Sequence, residues 1–139
     1  MQKPGNDATS VIASKQGFDA PAEVVFGVLT DPDRMTRWLP LGISTEPAAA
    51  GQVRVRAGGQ VYEYDVSSAP DRLRVEWHTR NSAGPQGAAW VSDAPAGGCV
   101  VHAEVAVSGG GADRQRAEEL LAEAMRHLRR DVSDNFNAG

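Results

Sequence analysis

A single cysteine, Cys99, excludes an internal disulfide and any metal centre built from several thiolates. No stretch approaches the ~20 consecutive apolar residues that a membrane-spanning helix needs. The first residues, MQKPGNDA, do not show the basic-then-apolar pattern of a secretory leader. A cytoplasmic location is therefore expected, although a chain that had lost its leader would read the same. Positive charge is not in excess either. The formal net charge is -4 and the isoelectric point about 5.3, so electrostatics gives no case for nucleic acid or an anionic membrane as partner. Basic residues are nearly all arginine and scattered, and the one adjacent pair, Arg129-Arg130, suits a solvated helix end.

Chemical motifs are also missing. No Ser/His/Asp order with a nucleophile elbow occurs, and no helical HExxH. Gly109-Gly110-Gly111 precedes a helix, as phosphate loops do, but lacks the Lys-Ser/Thr that a P-loop requires, and reads as a flexible lead into that helix. No cofactor is expected. There are no internal repeats and no sign of a second domain. A length of 139 residues with 41% hydrophobic content fits one core.

What is present begins with Phe18 to Trp38, FDAPAEVVFGVLTDPDRMTRW. Pro21 suits the first turn of a helix, where its missing N–H leaves no bond unmade. Asp19 is the expected cap, and Glu23 places negative charge in the first turn. Val25, Val28 and Leu29 follow at helical spacing. Asp31-Pro32 repeats the start signal, Met35, Trp38 and Leu39 give a second apolar side, and Pro40 stops it. Two short helices at an angle are expected.

Around this pair the chain reads as strands. Thr9–Phe18 is the first. After a loop from Gly42 to Gly51 come Gln52–Ala57, Gln60–Ser68, Arg72–Arg80, Gln86–Asp93 and Cys99–Ser108, divided by Gly, Pro, Asn and Asp turns. Short turns between successive strands imply an antiparallel meander of about six strands. Leu73, Val75, Trp77 and Thr79 alternate with Arg72, Arg74, Glu76, His78 and Arg80. Cys99, Val101, Ala103, Val105 and Val107 alternate with Val100, His102 and Glu104. Such a sheet has one dry face that needs a cover. Asp113 to about Asn135 supplies it: Ala117, Leu121, Ala124, Met125, Leu128 and Val132 form one helical stripe, with Arg116, Glu119, Glu123, Arg126 and Arg130 off it. Residues 1–8 are expected to be disordered and 9–137 to form one α+β domain.

The order strand, two short helices, meander, long C-terminal helix resembles the START-like (SRPBCC) superfamily. Its members include polyketide cyclase/dehydrase-like, Bet v 1-like and Hsp90-activator proteins. The matching residues are Ala20-Pro21-Ala22-Glu23 with Val25-Phe26, then Asp31-Pro32 and Trp38, Asp71-Arg72-Leu73 with Trp77, and Gly97-Gly98. The resemblance implies a helix-grip fold, in which a curved sheet wraps the last helix and the helix pair plugs one end. It also implies a cavity between sheet and helix for a small hydrophobic molecule of polyketide, lipid or quinone type. It leaves open an enzyme of the cyclase/dehydratase type and an interaction module of the Hsp90-activator type.

Within that frame the candidate ligand-binding residues are Trp77, Tyr62, Tyr64, Met125, His127 and Leu128. Tyr62 and Tyr64 share a face with Val66, each an apolar ring with a polar tip. His127 precedes Leu128 of the stripe by one step of ~100° and lies at its flank, near the cavity mouth that the resemblance implies, which makes it the one histidine to test as a general acid or base. His78 and His102 face outward. Ala88-Ala89-Trp90-Val91 does not alternate: size argues for Trp90 inward, spacing for Val91. Cys99 reads as a small core hydrophobe, and Trp38 as a seal on the core. The sequence sets no oligomeric state.

Overall fold

The computed structural model describes residues 9–46, 48–80, 85–108 and 111–138. The expected disorder of residues 1–8, the turn at 81–84 and the first two glycines of 109–111 lie outside the described residues.

Chain order is β1 (Thr9–Phe18), α1 (Ala22–Leu29), a 3-10 turn (Pro32–Arg34) running into α2 (Met35–Trp38), β2 (Ile43–Glu46), β3 (Gln52–Ala57), β4 (Gln60–Ala69), a 3-10 turn (Pro70–Arg72), β5 (Arg74–Thr79), β6 (Gln86–Asp93), β7 (Cys99–Ser108) and α3 (Gly111–Ala138). The seven strands form one antiparallel sheet ordered β1-β7-β6-β5-β4-β3-β2. This is a helix-grip fold with seven strands where the sequence suggests six. The extra strand, β2, lies in the stretch read as a loop. Four residues are too few to show a period, and β2 exists through its ladder to β3, with Ile43 opposite Ala57 and Glu46 opposite Arg54.

Two helix starts differ from expectation. Asp19 does not cap α1. Pro21 takes the capping position in an extended conformation, and its carbonyl accepts from Val24 and Val25 N–H. Asp31 does cap, its side chain accepting from Asp33 N–H at 2.9 Å. Helix α3 starts at Gly111, two residues before the expected Asp113, so this glycine belongs to the helix and not to a loop. Leu73 ends the second 3-10 turn in the left-handed region, at φ 50°, so β5 begins one residue later. Gly98 has φ 74°, and a Cβ there would lie 2.2 Å from the Phe18 carbonyl oxygen, so only glycine fits where β7 starts beside the end of β1.

The core lies where α3 and α1 meet β7 and its neighbours. Val25, Leu128, Val101 and Cys99 are its most enclosed side chains. A smaller cluster of Ile12, Val105 and Val107 packs beside it, and Trp77 and Leu121 touch both. Full burial of one leucine is worth about 1.5–3 kcal/mol. With Leu128 only 1% exposed, Leu128→Ala is expected to lower stability by about 2–5 kcal/mol, because transfer and cavity terms add. Urea unfolding checks this. A loss below ~1 kcal/mol would mean that the helix stripe is not what closes the core.

Candidate functional site

Register decides which side chains face α3. Directly paired residues share a face, so Ala103 and Val101 carry Ala89 and Val91 with them, and Ala89 carries Val75. Trp77 then lies between Val66 of β4 and Gly87 of β6. Tyr64 pairs with Thr79 on one side and Val53 on the other, and Tyr62 with Val55. Both tyrosines and Trp77 are thus on the concave face, as the alternation requires.

The register also answers the question at Trp90. Val91 is inward and buried, while Trp90 points to the convex face. There its indole stacks on His102, with ring centres 5.3 Å apart and planes 5° from parallel, and the Arg74 guanidinium lies 5.0 Å from the ring centre. Size alone would have placed Trp90 inside. A cation and a second ring give its faces an alternative partner outside. His102 also bonds Ser92 Oγ at 2.9 Å. His78 is outward as well.

Helix α3 does not cover the concave face evenly. It packs mainly on β1, β7, α2 and α1. Opposite its uncovered side, Val53, Val55, Tyr62, Val66 and Trp77 remain half-buried. They make an apolar stretch of the concave face, on the β3–β5 half of the sheet, that α3 leaves incompletely covered. Gly87, opposite Trp77, is required by close approach to β7: a Cβ there would lie 2.1 Å from the Glu104 carbonyl oxygen. Met125 and Leu128 are core residues, 6% and 1% exposed. His127 is half-buried, one helical turn from Glu123 and one from Asp131.

The polar groups here have distinct states. Tyr62 donates to Gln60 Oε1 at 3.1 Å. Tyr64 is buried; desolvation, with a contribution from the neighbouring Tyr62, pushes its pKa up to about 12. It is therefore a hydrogen-bond donor across the physiological range and not a base. Burial likewise raises the Cys99 thiol, with Asp93 and Glu23 adding to the effect, so it stays protonated and unreactive. Among the described residues no group of three His, Cys, Asp or Glu side chains is placed to hold a metal ion.

The seating of the helix pair on α3 depends on a residue absent from the sequence reading. Asp131 of α3 is buried and takes Arg34 Nε at 3.3 Å and Arg34 Nη2 at 3.4 Å, with Arg37 Nη1 at 3.7 Å. Glu123, two turns earlier, accepts from Leu41 N–H at 3.2 Å. Together they tie α2 and its following loop to α3. Trp38 packs on the core from α2, and its indole N–H is buried without an acceptor among the described residues. The signal for Asp131 was present: a carboxylate flanking the apolar stripe, and two arginines on a short helix with no buried side chain of its own.

Two recesses of about 260 and 300 Å³ open elsewhere. One is lined by Ala48, Gln52, Val53, Arg54, Glu63 and Arg80, the other by convex-face residues including Arg74, Glu76, His78 and Glu104. Their charges are mixed and largely paired with each other. Among the described residues no helix is long and apolar enough to cross a membrane.

A curved antiparallel sheet around a C-terminal helix, with a plug of two short helices, defines the helix-grip class of the START-like superfamily. The chain belongs to the family described as polyketide cyclase / dehydrase and lipid transport, whose model matches residues 11–138. No curated protein matches it in sequence. Among solved structures it is similar to an uncharacterised protein from Bacillus thuringiensis (TM-score 0.73, 10% identity, 90% of this chain and 100% of that one). It is also similar to the ZhuI aromatase/cyclase from a Streptomyces species (TM-score 0.72, 12% identity, 92% and 96% covered). A third is an Aha1 dimer from Colwellia psychrerythraea (TM-score 0.70, 17% identity, 88% and 96% covered). At these identities the likeness is one of fold.

Two outcomes follow from the site. Asp131→Ala leaves two arginines without their shared carboxylate and should destabilise the protein by about 1–3 kcal/mol, below the cost for a fully buried pair because Arg37 can rehydrate. Thermal unfolding beside Ser133→Ala as a surface control measures it. In Tyr62→Phe, where Tyr64 is the one remaining phenol, phenolate absorbance should still rise with a midpoint above the ordinary 10, because desolvation, the larger cause, remains. Because the folded value lies above the unfolded one, the Tyr64 contribution to stability is complete below the unfolded pKa of 10 and declines as pH rises towards 12. A Tyr62→Phe titration centred near 10 would mean that the Tyr64 phenol is solvated.

Proposed function

We propose that the protein binds a small hydrophobic or aromatic molecule in the groove between α3 and the β3–β5 half of the sheet. The observation that carries this reading is the half-buried wall of Val53, Val55, Tyr62, Val66 and Trp77, an apolar surface inside a curved sheet that the helix leaves uncovered. Burial of the ligand against Trp77 and the valines supplies affinity, and the phenols supply orientation. The description of the family, which includes lipid transport, supports the same reading. Met125 and Leu128 act from behind, by fixing α3.

A second reading, a cyclase/dehydratase-type enzyme, is favoured by the Tyr64 phenol, which stays protonated and so can donate to a carbonyl oxygen. His127 is then the base, on the helix flank between two carboxylates. In that case the groove first folds a reactive chain, and the two side chains move its protons.

The test is a titration with N-phenyl-1-naphthylamine, a neutral fluorophore that brightens in apolar sites. Trp77→Ala should weaken binding by at least about tenfold, ~1.4 kcal/mol. Trp90→Ala, on the convex face, should leave binding unchanged. Equal loss in both variants, or no binding by the parent protein, refutes the groove as the site. Native mass spectrometry of gently purified protein then looks for a carried small molecule, which Trp77→Ala should lose.

A further inference from the structure

We infer that the groove selects an uncharged molecule, a ketone, quinone, phenol or ester, and rejects anions such as a free fatty acid. The inference rests on the groove being the binding site. Its basis is the distribution of charge between the two faces of the sheet. The positions of β2 to β5 on the groove's face of the sheet carry Thr45, Gln60, Tyr62, Tyr64, Ser68 and Thr79 as their hydrogen-bonding groups, one amide and five hydroxyls, none of them a cation. Among the described residues, Asp93 is the one charged side chain at a concave-face position of the sheet. It is exposed, opposite Cys99 at the far end of β6, and it is itself an anion.

The strands' other charges are outward and largely paired with one another. Arg54 meets Glu46 and Glu63, Arg80 meets Glu63 and Asp65, and Arg56 bonds Glu46. Arg74 meets Glu76 and covers Trp90. Cations at the plug are committed as well, since Arg34 and Arg37 share Asp131. Glu123, at the groove's plugged end, adds negative charge. An anion entering the groove would therefore lose its hydration and find no cation on the sheet wall or the plug. Such a cost is several kcal/mol for a buried ion even after relaxation. The raised pKa of Tyr64 reports the same property from within: this part of the fold resists a negative charge on its own side chain. A neutral carbonyl or hydroxyl meets the opposite situation, because phenols and threonines donate to it without bringing charge.

A matched pair of probes tests this. N-phenyl-1-naphthylamine and 8-anilinonaphthalene-1-sulfonate share a skeleton and differ by one sulfonate. The neutral probe should bind at least about tenfold tighter than the anionic one. Tyr62→Arg, which puts a cation on the groove wall, should reverse that order. Val55→Trp, which fills the groove, should abolish binding of the neutral probe; Trp77→Ala replaces it if its melting curve shows that the fold is lost. If the sulfonate binds the parent protein as tightly as the neutral probe and both are lost in Val55→Trp, the groove stands and the selection for neutral ligands is overturned. If the parent protein binds neither probe, the groove itself fails as a site, and this inference fails with it.

Discussion

The structure depends on a mismatch of widths. Seven strands spaced by about 4.8 Å make a sheet near 29 Å across, and a helix with its side chains is about 10–12 Å thick. Among the described residues the concave face of the sheet is uncharged apart from Asp93 and mostly apolar, and one helix cannot cover it. Curling the sheet brings more of it to the helix, and α1 covers a further part with Ala22, Val25, Phe26, Val28 and Leu29. What is left is the β3–β5 wall. The same geometry that makes the core thus leaves an incompletely covered apolar wall, and the fold needs no special device to produce one.

The plug needs a fixed seat, and polar contacts provide it. Helix α2 has one turn and no buried side chain, so burial alone cannot hold it. Asp131 and Glu123 hold it to α3 through Arg34, Arg37 and the Leu41 N–H. A buried carboxylate is costly unless paired, and Asp131 meets two guanidinium groups. The pairing therefore says more about where α2 must sit than about how stable the protein is. Trp38, carried by that short helix, is placed on the core by the same contacts.

Much of this was legible in the sequence, for physical reasons. Alternation in β5 and β7 is clean because one face of each is dry and the other wet, and the α3 stripe is clean because the helix meets a core on one side only. The misses share a different cause. β2 is too short to show a period and is made by its partner. Asp131 interrupts no pattern, and its role lies in two arginines 94 and 97 positions away along the chain. Asp19 was given a task that the extended Pro21 carbonyl performs. Trp90 shows the limit of size as a guide: a large ring goes outside when Arg74 and His102 cover its faces better than the core would. The spacing to the Ala94-Pro95 turn, compared with the family that the sequence resembles, pointed to Ala89, Val91 and Asp93 and agrees with the register.

Binding and catalysis would use the same groove, and the chain distinguishes them at few positions. Tyr64 serves both, because a phenol that stays protonated can orient a carbonyl or polarise it. It cannot remove a proton from carbon near neutral pH, and neither can the buried Cys99 thiol. A cyclase or dehydratase therefore needs a base from elsewhere. Among the described residues the one carboxylate or imidazole on the concave face of the sheet is Asp93, exposed at the end of β6 away from the tyrosines. That leaves α3, where His127 stands between Glu123 and Asp131, both already bonded to the plug. Catalysis thus makes a demand on the position of His127 that binding does not. The two readings part on whether that imidazole reaches a ligand lying against Trp77.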